Sequence, residues 1–243
     1  MNLLSFFLNR ITIKGENKVF FNKKRVKNYQ FKFVGKNNVF NAQDNFAVRK
    51  LHIKILGDNN KITIGSNAQI NNLYIEIKGS NNNITLGNDI KIVEKLTIYN
   101  HCDTQNANIT IGDKTSFYNT TIHNYDNDSS IEIGEDCMFA YNTLIYNTDG
   151  HSIFQDGQLI NKAEKCKIGN HVWCAMDSSI LKNSNIPDGC IVGKSAVVSG
   201  KFTQSNAILG GIPAKIIKEN IHWDRNTVND NLNKNLQKPL GGG

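Results

Sequence analysis

One polar stretch of the 243-residue chain places a histidine where it could act as a base. Residues 146–161 read YNTDGHSIFQDGQLIN, so Asp149, Gly150 and His151 stand in a row. A neutral imidazole with a pKa near ~6.5 can take a proton from a hydroxyl group around neutral pH. Aspartate and glycine are also common turn residues, and the same three residues could form only a solvated turn. The elements around the stretch must decide between these two roles.

A repeat of apolar residues at every sixth position predicts what those elements are. The longest run is Ile168, Cys174, Ile180, Ile186, Val192 and Val198, and a second run is Ile133, Phe139 and Ile145, whose next step is His151. A period of six matches neither an α-helix nor a single amphipathic strand. It is typical of a parallel β-helix, in which one aliphatic side chain points inward at each corner of the coil.

Polar corners recur at a longer spacing in the first half of the chain. GDNNKITIG at residues 57–65 matches GSNNNITLG at residues 79–87, and weaker copies precede them. Each copy has an Asn-rich turn followed by a short β-branched strand. Asparagine and glycine tolerate positive φ angles, so each turn predicts a corner of the chain. We therefore expect an all-β protein built from stacked coils.

His151 falls where this pattern calls for another aliphatic residue. A histidine inside the ladder would bury an imidazole with few hydrogen-bonding partners, which is unfavourable. We therefore expect the coil to leave its path and to loop out over residues 147–165. The predicted organisation is an N-terminal region of irregular β-coils or a cap at 1–56, a β-helix domain at 57–214, and a tail at 215–243 that forms a short helix or an extended arm.

The composition limits the class of protein and its partners. The formal charge is +7 with an isoelectric point of about 9.1, which suggests an anionic partner. The basic residues are dispersed along the chain, and a dispersed excess does not predict a nucleic-acid interface. The apolar run in MNLLSFFLNR, about six residues, is too short to span a bilayer, and we expect a strand or cap there. Five cysteines without a CxxC pair favour reduced thiols and a cytoplasmic location.

The second half of the chain resembles a known family. IGNHVWCAMDSSILKNSNIPDGCIVGKSAVVSGKF followed by GGIPAKIIKENIHWDR, within residues 168–225, resembles the C-terminal half of hexapeptide-repeat acetyltransferases that O-acetylate capsule and lipopolysaccharide sugars. The TDGHSIF segment resembles the loop of bacterial sialic acid and polysialic acid O-acetyltransferases. The resemblance implies a left-handed parallel β-helix with an extended loop and a short C-terminal tail. It also implies acetyl-coenzyme A as the acetyl donor and a homotrimer with active sites between adjacent β-helices.

The resemblance also implies roles for individual residues. It makes His151 the general base, with Asp149 either orienting the imidazole or shaping the turn. It gives Trp173 a functional position on the opposite wall, and the alternative for Trp173 is a side chain that only fills a subunit interface. Asn142 and Asn147 are candidate acceptor contacts, although a structural asparagine ladder is an alternative for both.

The implied coenzyme A groove lies in the C-terminal coils. Basic residues in the GIPAKIIK segment, Lys215 and Lys218, would meet the phosphates of coenzyme A. A solvated face is the alternative for each lysine. The pantetheine arm would follow Ala175, Met176, Lys194 and Ser195.

We therefore interpret the chain as an acetyl-coenzyme A-dependent O-acetyltransferase for a bacterial surface glycan, with sialic acid as a candidate acceptor and capsule or lipooligosaccharide modification as the setting. Two alternatives stay open, namely N-acylation of a nucleotide-linked amino sugar and a non-enzymatic β-helix scaffold. The γ-class carbonic anhydrases share the β-helix but need an HxxxxH pair, which none of the six histidines forms. We expect neither a metal nor a nucleic-acid partner, and no integral membrane segment.

Overall fold

A computed structural model describes residues 9–231, and nearly all the regular structure in this range is β-strand. The strand or cap predicted for the first residues lies mostly outside the described range, as does the end of the predicted tail from residue 232. A 3₁₀ helix, Lys23–Arg25, is capped by the Asn22 side chain, whose Oδ1 accepts a hydrogen bond from the Lys24 N–H.

The strands, labelled β1 to β24 in chain order, are β1 Arg10–Lys14, β2 Lys18–Phe20, β3 Val26–Val34, β4 Val39–Ala42, β5 Ala47–Leu56, β6 Lys61–Ile64, β7 Gln69–Ser80, β8 Asn83–Leu86, β9 Lys91–Gln105, β10 Asn108–Ile111, β11 Ser116–His123, β12 Ser130–Ile133, β13 Met138–Phe139, β14 Thr143–Tyr146, β15 Phe154–Gln155, β16 Gln158–Leu159, β17 Lys165–Ile168, β18 Trp173–Cys174, β19 Ser179–Leu181, β20 Asn185–Ile186, β21 Ile191–Val192, β22 Val197–Val198, β23 Ile208–Gly210 and β24 Lys215–Lys218.

Each coil lies directly on the coil before it. One sheet has 14 strands and runs β1-β3-β5-β7-β9-β11-β13-β18-β21-β23-β24, with β14, β19 and β22 branching from it. A second sheet has eight strands in the order β2-β4-β6-β8-β10-β12-β17-β20. Pairing along both sheets is parallel until β24, which runs antiparallel to β23. This pattern confirms the predicted parallel β-helix.

The core is the predicted aliphatic ladder. The six residues of the longest run, Ile168, Cys174, Ile180, Ile186, Val192 and Val198, are at most 1% exposed. The second run, Ile133, Phe139 and Ile145, is also buried, and the Phe139 ring stacks on the Phe117 ring of the preceding coil with centroids 4.9 Å apart. Because every coil adds its inward side chains to one continuous core, stability is distributed over neighbouring coils.

Asparagines and glycines form the corners of the early coils. Asn37, Asn59 and Asn81 have φ angles of 58°, 56° and 59°, in the left-handed region. A Cβ atom on Gly57 would lie 1.9 Å from the carbonyl oxygen of Gly79 on the next coil, and φ at Gly57 is 139°. Only glycine allows such an approach between two backbones. The Asn-rich repeats of the sequence are therefore the corners of the coil.

Strand pairing crosses residue 57 without a break, since β5 pairs with β7 along most of its length. The division of the chain at residues 57 and 215 stays a prediction. At the C-terminal end, the segment predicted as a helix or an arm begins with β24 and then folds back over the coils.

Candidate active site

The inserted loop leaves the coil at Asn147. This residue is fully buried, and its Nδ2 donates to the Asn124 Oδ1 and to the Ser130 carbonyl, each at 3.2 Å. The chain rejoins the sheet at Lys165, where β17 pairs with β12. Asn147 therefore fixes the point where the loop begins, and its amide faces the protein interior and not solvent.

His151 lies on the exposed part of this loop and lines a groove of about 290 Å³. The other walls include Tyr125 and Asp126 from the preceding coil and Leu159 and Asn161 from the far side of the loop. The His151 imidazole has no hydrogen-bond partner within residues 9–231. It is thus open to a ligand that enters the groove.

Asp149 holds the loop in place through contacts other than His151. Its Oδ2 accepts a hydrogen bond from the Asn161 Nδ2 at 2.8 Å and a salt bridge from Lys182. Asn161 Nδ2 also donates to the His151 carbonyl oxygen at 2.8 Å, and the Lys182 Nζ donates to the Asn161 carbonyl at 2.8 Å. Asp149 therefore fixes the backbone beside His151, and it makes no hydrogen bond to the imidazole ring in this structure.

Two effects set the charge of Asp149. Partial burial would raise the pKa of Asp149, but hydrogen bonds from Lys182 and Asn161 and the positive charge of Lys182 outweigh burial and lower that pKa. The carboxylate is therefore ionised at neutral pH. A hydroxyl in the groove would meet the His151 imidazole on a backbone that the Asp149 carboxylate helps to hold in place.

Asp126 supports the loop from the preceding coil. Its Oδ1 accepts from the Thr148 Oγ1 at 3.0 Å, and its Oδ2 accepts from the Ala163 N–H at 2.9 Å. Sequence reasoning missed Asp126, Asn161 and Lys182. They are 10 to 37 residues from their partners in the sequence, and no motif connects them.

Trp173 lies on β18, half-buried, between Met138 of β13 and Ile191 of β21. Its ring is tilted at 48° against Trp223, with centroids 5.9 Å apart. Trp223 in turn stacks on His171 at 4.1 Å. The indole N–H of Trp173 makes no hydrogen bond within the described part of the chain, so it is available to a ligand.

A second set of contacts missed from the sequence fastens the C-terminal segment to the coils. The His171 ring nitrogens lie 2.7 Å from the Asp136 Oδ2 and 2.9 Å from the Trp223 carbonyl, and the Trp223 Nε1 donates to the His171 carbonyl at 3.0 Å. Arg225 Nε donates to the Asp136 Oδ1 at 2.8 Å. Burial would raise the pKa of Asp136, but Arg225 and His171 lower it. We call these residues, His171, Asp136, Trp223 and Arg225, the C-terminal clasp.

The residues predicted for the pantetheine groove come together at one corner. Ser195 N–H donates to the Met176 carbonyl at 3.0 Å, so Ala175 and Met176 lie directly beside Lys194 and Ser195 on the next coil. Met176 is 40% exposed and Lys194 is exposed.

Asn142 belongs to the same row of corners. Its φ angle is 56° and its Nδ2 donates to the Asp177 Oδ1 at 3.2 Å. The side chain is exposed, but it lies in this ladder and not on the His151 loop. The ladder alternative considered for Asn142 therefore has direct contacts in its favour.

Lys215 and Lys218 are both exposed on β24, the antiparallel strand at the end of the solenoid. Neither lysine forms a salt bridge in the described structure. Their side chains can therefore reach a phosphate without breaking an existing ion pair.

The tip of the inserted loop presents an apolar surface. The antiparallel hairpin of β15 and β16 pairs Phe154 with Leu159, which are 64% and 50% exposed. Ile153 and Ile160 beside them are 50% and 56% exposed. Such a cluster of exposed apolar residues marks a contact surface.

The four cysteines whose side chains are described are buried free thiols, namely Cys137, Cys166, Cys174 and Cys190. Residues 9–231 contain no group of three or more His, Cys, Asp and Glu residues arranged to hold a metal ion. Within the same range, no helix has the length and hydrophobicity needed to cross a membrane.

Comparison with known proteins places this geometry in context. No protein-family model matches the chain. The chain is 35% identical over 97 residues to the polysialic acid O-acetyltransferase of Neisseria meningitidis. This alignment covers 39% of this chain and 45% of that protein. The chain is also 35% identical over 98 residues to the polysialic acid O-acetyltransferase of Escherichia coli O1:K1 / APEC, covering 40% of this chain and 32% of that protein. The matches therefore span less than half the length of either relative.

The fold is shared over a longer stretch. The solved structure of the polysialic acid O-acetyltransferase OatWY aligns with a TM-score of 0.61 at 30% identity. The alignment covers 86% of this chain and 98% of that chain. The likeness in fold thus extends over most of the chain.

Proposed function

Because the chain belongs to the family of hexapeptide-repeat, left-handed β-helix O-acetyltransferases, we propose that it transfers an acetyl group from acetyl-coenzyme A to a hydroxyl group of a bacterial surface glycan. The observation that carries this proposal is His151. Its imidazole is exposed in a groove and has no hydrogen-bond partner among the described residues, and the backbone at His151 is fixed by Asn161, Asp149 and Lys182. This arrangement is suited to accepting a proton from a bound hydroxyl.

The reaction follows from these groups. The neutral His151 imidazole takes the proton of a sugar hydroxyl as the oxygen attacks the thioester carbonyl of acetyl-coenzyme A. The tetrahedral intermediate carries its negative charge on the former carbonyl oxygen, and N–H donors of the coil wall, with Trp173 Nε1 as a candidate, would stabilise it. Collapse of the intermediate breaks the C–S bond and releases the coenzyme A thiolate with the sugar ester. The imidazolium then returns its proton to solvent or to the thiolate.

A direct transfer in a ternary complex is favoured over an acyl-enzyme. Burial raises the pKa of Cys137 and of Cys166 to about 12 and also raises the pKa of Cys174 and Cys190. A buried thiol with a raised pKa is a poor nucleophile. The described cysteines are therefore packing residues of the core and poor candidates for a nucleophile.

The acceptor and the setting are proposed from the relatives. Two of them are polysialic acid O-acetyltransferases, so we propose an acidic glycan of the sialic acid type, within capsule or lipooligosaccharide modification in the cytoplasm. The basic charge of the chain is consistent with such a polyanion.

Self-association completes the proposed site. The apolar hairpin at Phe154 and Leu159 projects from the loop that carries His151. In a homotrimer it would pack against a neighbouring β-helix and bring the coenzyme A groove of one subunit to the His151 loop of another. Ala175, Met176, Lys194, Ser195, Lys215 and Lys218 would supply that groove.

Release of coenzyme A thiol, measured with a panel of acceptors, tests the function. We expect thiol release with sialic acid oligomers, and mass spectrometry should show one added acetyl ester per turnover. Thiol release with nucleotide-linked amino sugars, accompanied by amide formation, would instead support the N-acyltransferase alternative. No thiol release with any acceptor would contradict the proposal.

A further inference from the structure

The first coils carry a basic trough that the proposed reaction does not use. Two cavities, of about 280 Å³ and 440 Å³, lie on the outer surface of β3 and β5 and share Gln30 and His52 among their lining residues. Sharing two walls makes them one continuous depression. It lies several coils away from the His151 groove.

The charge of this trough has one sign. Its lining includes the five basic residues Arg10, Lys14, Lys32, Lys50 and Lys95. No Asp or Glu is among the described residues that line either cavity. The amides of Asn28 and Asn72 lie in the same lining and can donate hydrogen bonds to carboxylate and hydroxyl oxygens. Lysines and amides around an open depression favour an anionic, hydroxyl-rich ligand.

A row of rings leads from the trough toward His151. The ring centroids are 4.7 Å apart between His52 and Tyr74, 5.7 Å between Tyr74 and Tyr99, 5.1 Å between Tyr99 and His123, and 5.1 Å between His123 and Tyr146. We call these five half-buried residues the ring row. They lie on β5, β7, β9, β11 and β14, which are consecutive neighbours in one sheet. Four strand spacings of about 4.8 Å give the row a length of about 19 Å.

The row ends at the candidate active site. A Cβ atom added to Gly150 would lie 3.3 Å from the Tyr146 hydroxyl oxygen, so Tyr146 lies against the residue next to His151. Tyr125, which contacts both His123 and Tyr146, lines the His151 groove. Burial lowers the pKa of His52 and of His123, so both rings are neutral at neutral pH. The rings of the row are therefore uncharged, and the Glu76 carboxylate that accepts from the Tyr74 hydroxyl is buried and paired with Lys54.

We propose that the basic trough is a remote binding site for the carboxylated sugars of a polymeric acceptor, and that the polymer runs along the ring row to His151. This inference rests on the proposed function for the identity of the polymer. A single sugar occupies only the His151 groove, whereas an extended chain reaches both sites. Binding at the trough therefore adds affinity for long acceptors and adds nothing for short ones.

Kinetics with acceptors of graded length test the proposal. The probes are a single sialic acid and sialic acid oligomers long enough to cover the row and the trough. Lys95→Glu and Lys32→Glu each change one exposed residue in a different half of the trough. Each should raise KM for the long oligomers about tenfold, the size expected for one lost charged hydrogen bond, with kcat and the KM of the monomer unchanged.

Lys61→Glu is the matched control, since Lys61 is an exposed lysine on the second sheet, outside the trough. It should leave every KM unchanged. Equal KM values for wild type and both trough variants at all lengths would overturn the proposal. A matching rise for the monomer would also overturn it, because the lysines would then act at the reacting sugar.

Direct binding separates this proposal from the proposed function. If no acceptor is acetylated, the affinity of the full-length protein for a fluorescent long oligomer still decides the matter, and Lys95→Glu should weaken that affinity about tenfold. A single-stranded nucleic acid of equal charge that competes as well as the oligomer would show a general polyanion surface and overturn the assignment to a glycan.

Discussion

His151 is an exposed imidazole on a loop whose backbone is held by other side chains. If it is the general base, His151→Ala should lower kcat by about 10²- to 10⁴-fold. Steady-state kinetics on the purified variant, with circular dichroism as a folding check, measures this loss. Folding should be retained because His151 lies outside the buried ladder.

Asp149, which holds the His151 loop in place, provides a variant whose kcat can be compared with that of His151→Ala. Asp149→Asn keeps the shape of the side chain but removes the charge that Lys182 contacts, and its effect on kcat should be smaller than that of His151→Ala. Wild-type turnover of His151→Ala would show that the DGH stretch is a turn and that the base lies elsewhere.

Glu76 is a buried carboxylate, 6% exposed, with strong partners. Lys54 Nζ lies 2.7 Å from its Oε1, and the Tyr74 hydroxyl donates to its Oε2 at 2.5 Å. Burial would raise the pKa of Glu76, but these hydrogen bonds outweigh burial and lower it to about 2, from 4.5. The folded state therefore prefers the ionised form more than the unfolded chain does.

The sign of this shift predicts a pH dependence of stability. The contribution of Glu76, on the order of 3 kcal/mol, is fully present above the unfolded pKa and is lost as the pH falls from about 4.5 toward 2. Urea unfolding should show Glu76→Gln less stable than wild type at pH 7, with a gap that narrows at pH 3. Glu132→Gln, in an exposed pair with Lys165, is the control and should change stability by less than about 1 kcal/mol. An unchanged gap at pH 3 would contradict the assigned shift.

At the scale of an element, the buried asparagine ladder joins the early coils. Asn60 Nδ2 donates to the Asn38 Oδ1 and to the Gly79 carbonyl, each at 2.9 Å. Asn60 Oδ1 accepts from the Asn82 N–H and Nδ2, each at 3.0 Å. Removing this amide leaves buried groups on two neighbouring coils without partners, and each unsatisfied group costs about 1–3 kcal/mol.

Asn60→Ala should therefore lower the free energy of unfolding by about 3 kcal/mol or more, measured by chemical denaturation. Asn59→Gly is the control at the adjacent corner position, because glycine keeps the left-handed conformation of the exposed Asn59. It should change stability by less than about 1 kcal/mol. Equal effects of the two substitutions would show that the ladder hydrogen bonds contribute little.

Strand β24 carries the lysines proposed to meet coenzyme A. Lys215→Ala and Lys218→Ala should each weaken acetyl-coenzyme A binding by about 1 kcal/mol, since both side chains are exposed and screened by solvent. The readout is KM for acetyl-coenzyme A at moderate salt, and KM for the acceptor should hardly change. An unchanged KM in the double variant would assign both lysines to a solvated face.

At the scale of the whole molecule, the apolar hairpin predicts assembly. We expect a homotrimer by light scattering, and Phe154→Ser should weaken it because Phe154 would lose its buried contacts with a neighbouring subunit. Val228→Ser, at an apolar residue that is 76% exposed elsewhere, is the control and should leave the mass unchanged. A stable monomer with full activity at micromolar concentration would rule out the shared site.

The sequence by itself determined the coil. The residues at every sixth position from Ile168 to Val198 were predicted to be buried, and all of them lie in the core. His151, at a position where the repeat calls for an aliphatic residue, predicted an inserted loop, and the chain rejoins the sheet at β17 after it. These features could be predicted because each coil must bury one side chain per corner, a local requirement that leaves a period in the sequence. The family followed from the segments that surround His151 and Trp173.

Only the tertiary structure decided which side chains meet across coils. Asp149 contacts Lys182, 33 residues away, and Trp223 stacks on His171 within the C-terminal clasp. The basic trough likewise gathers residues from separate coils. The lengths of the coils and of the inserted loop decide which exposed side chains meet. Coil length does not require any particular residue type at exposed positions, so these contacts leave no repeat in the sequence. The periodic core was therefore readable from the sequence, while the surroundings of the candidate site required the folded chain.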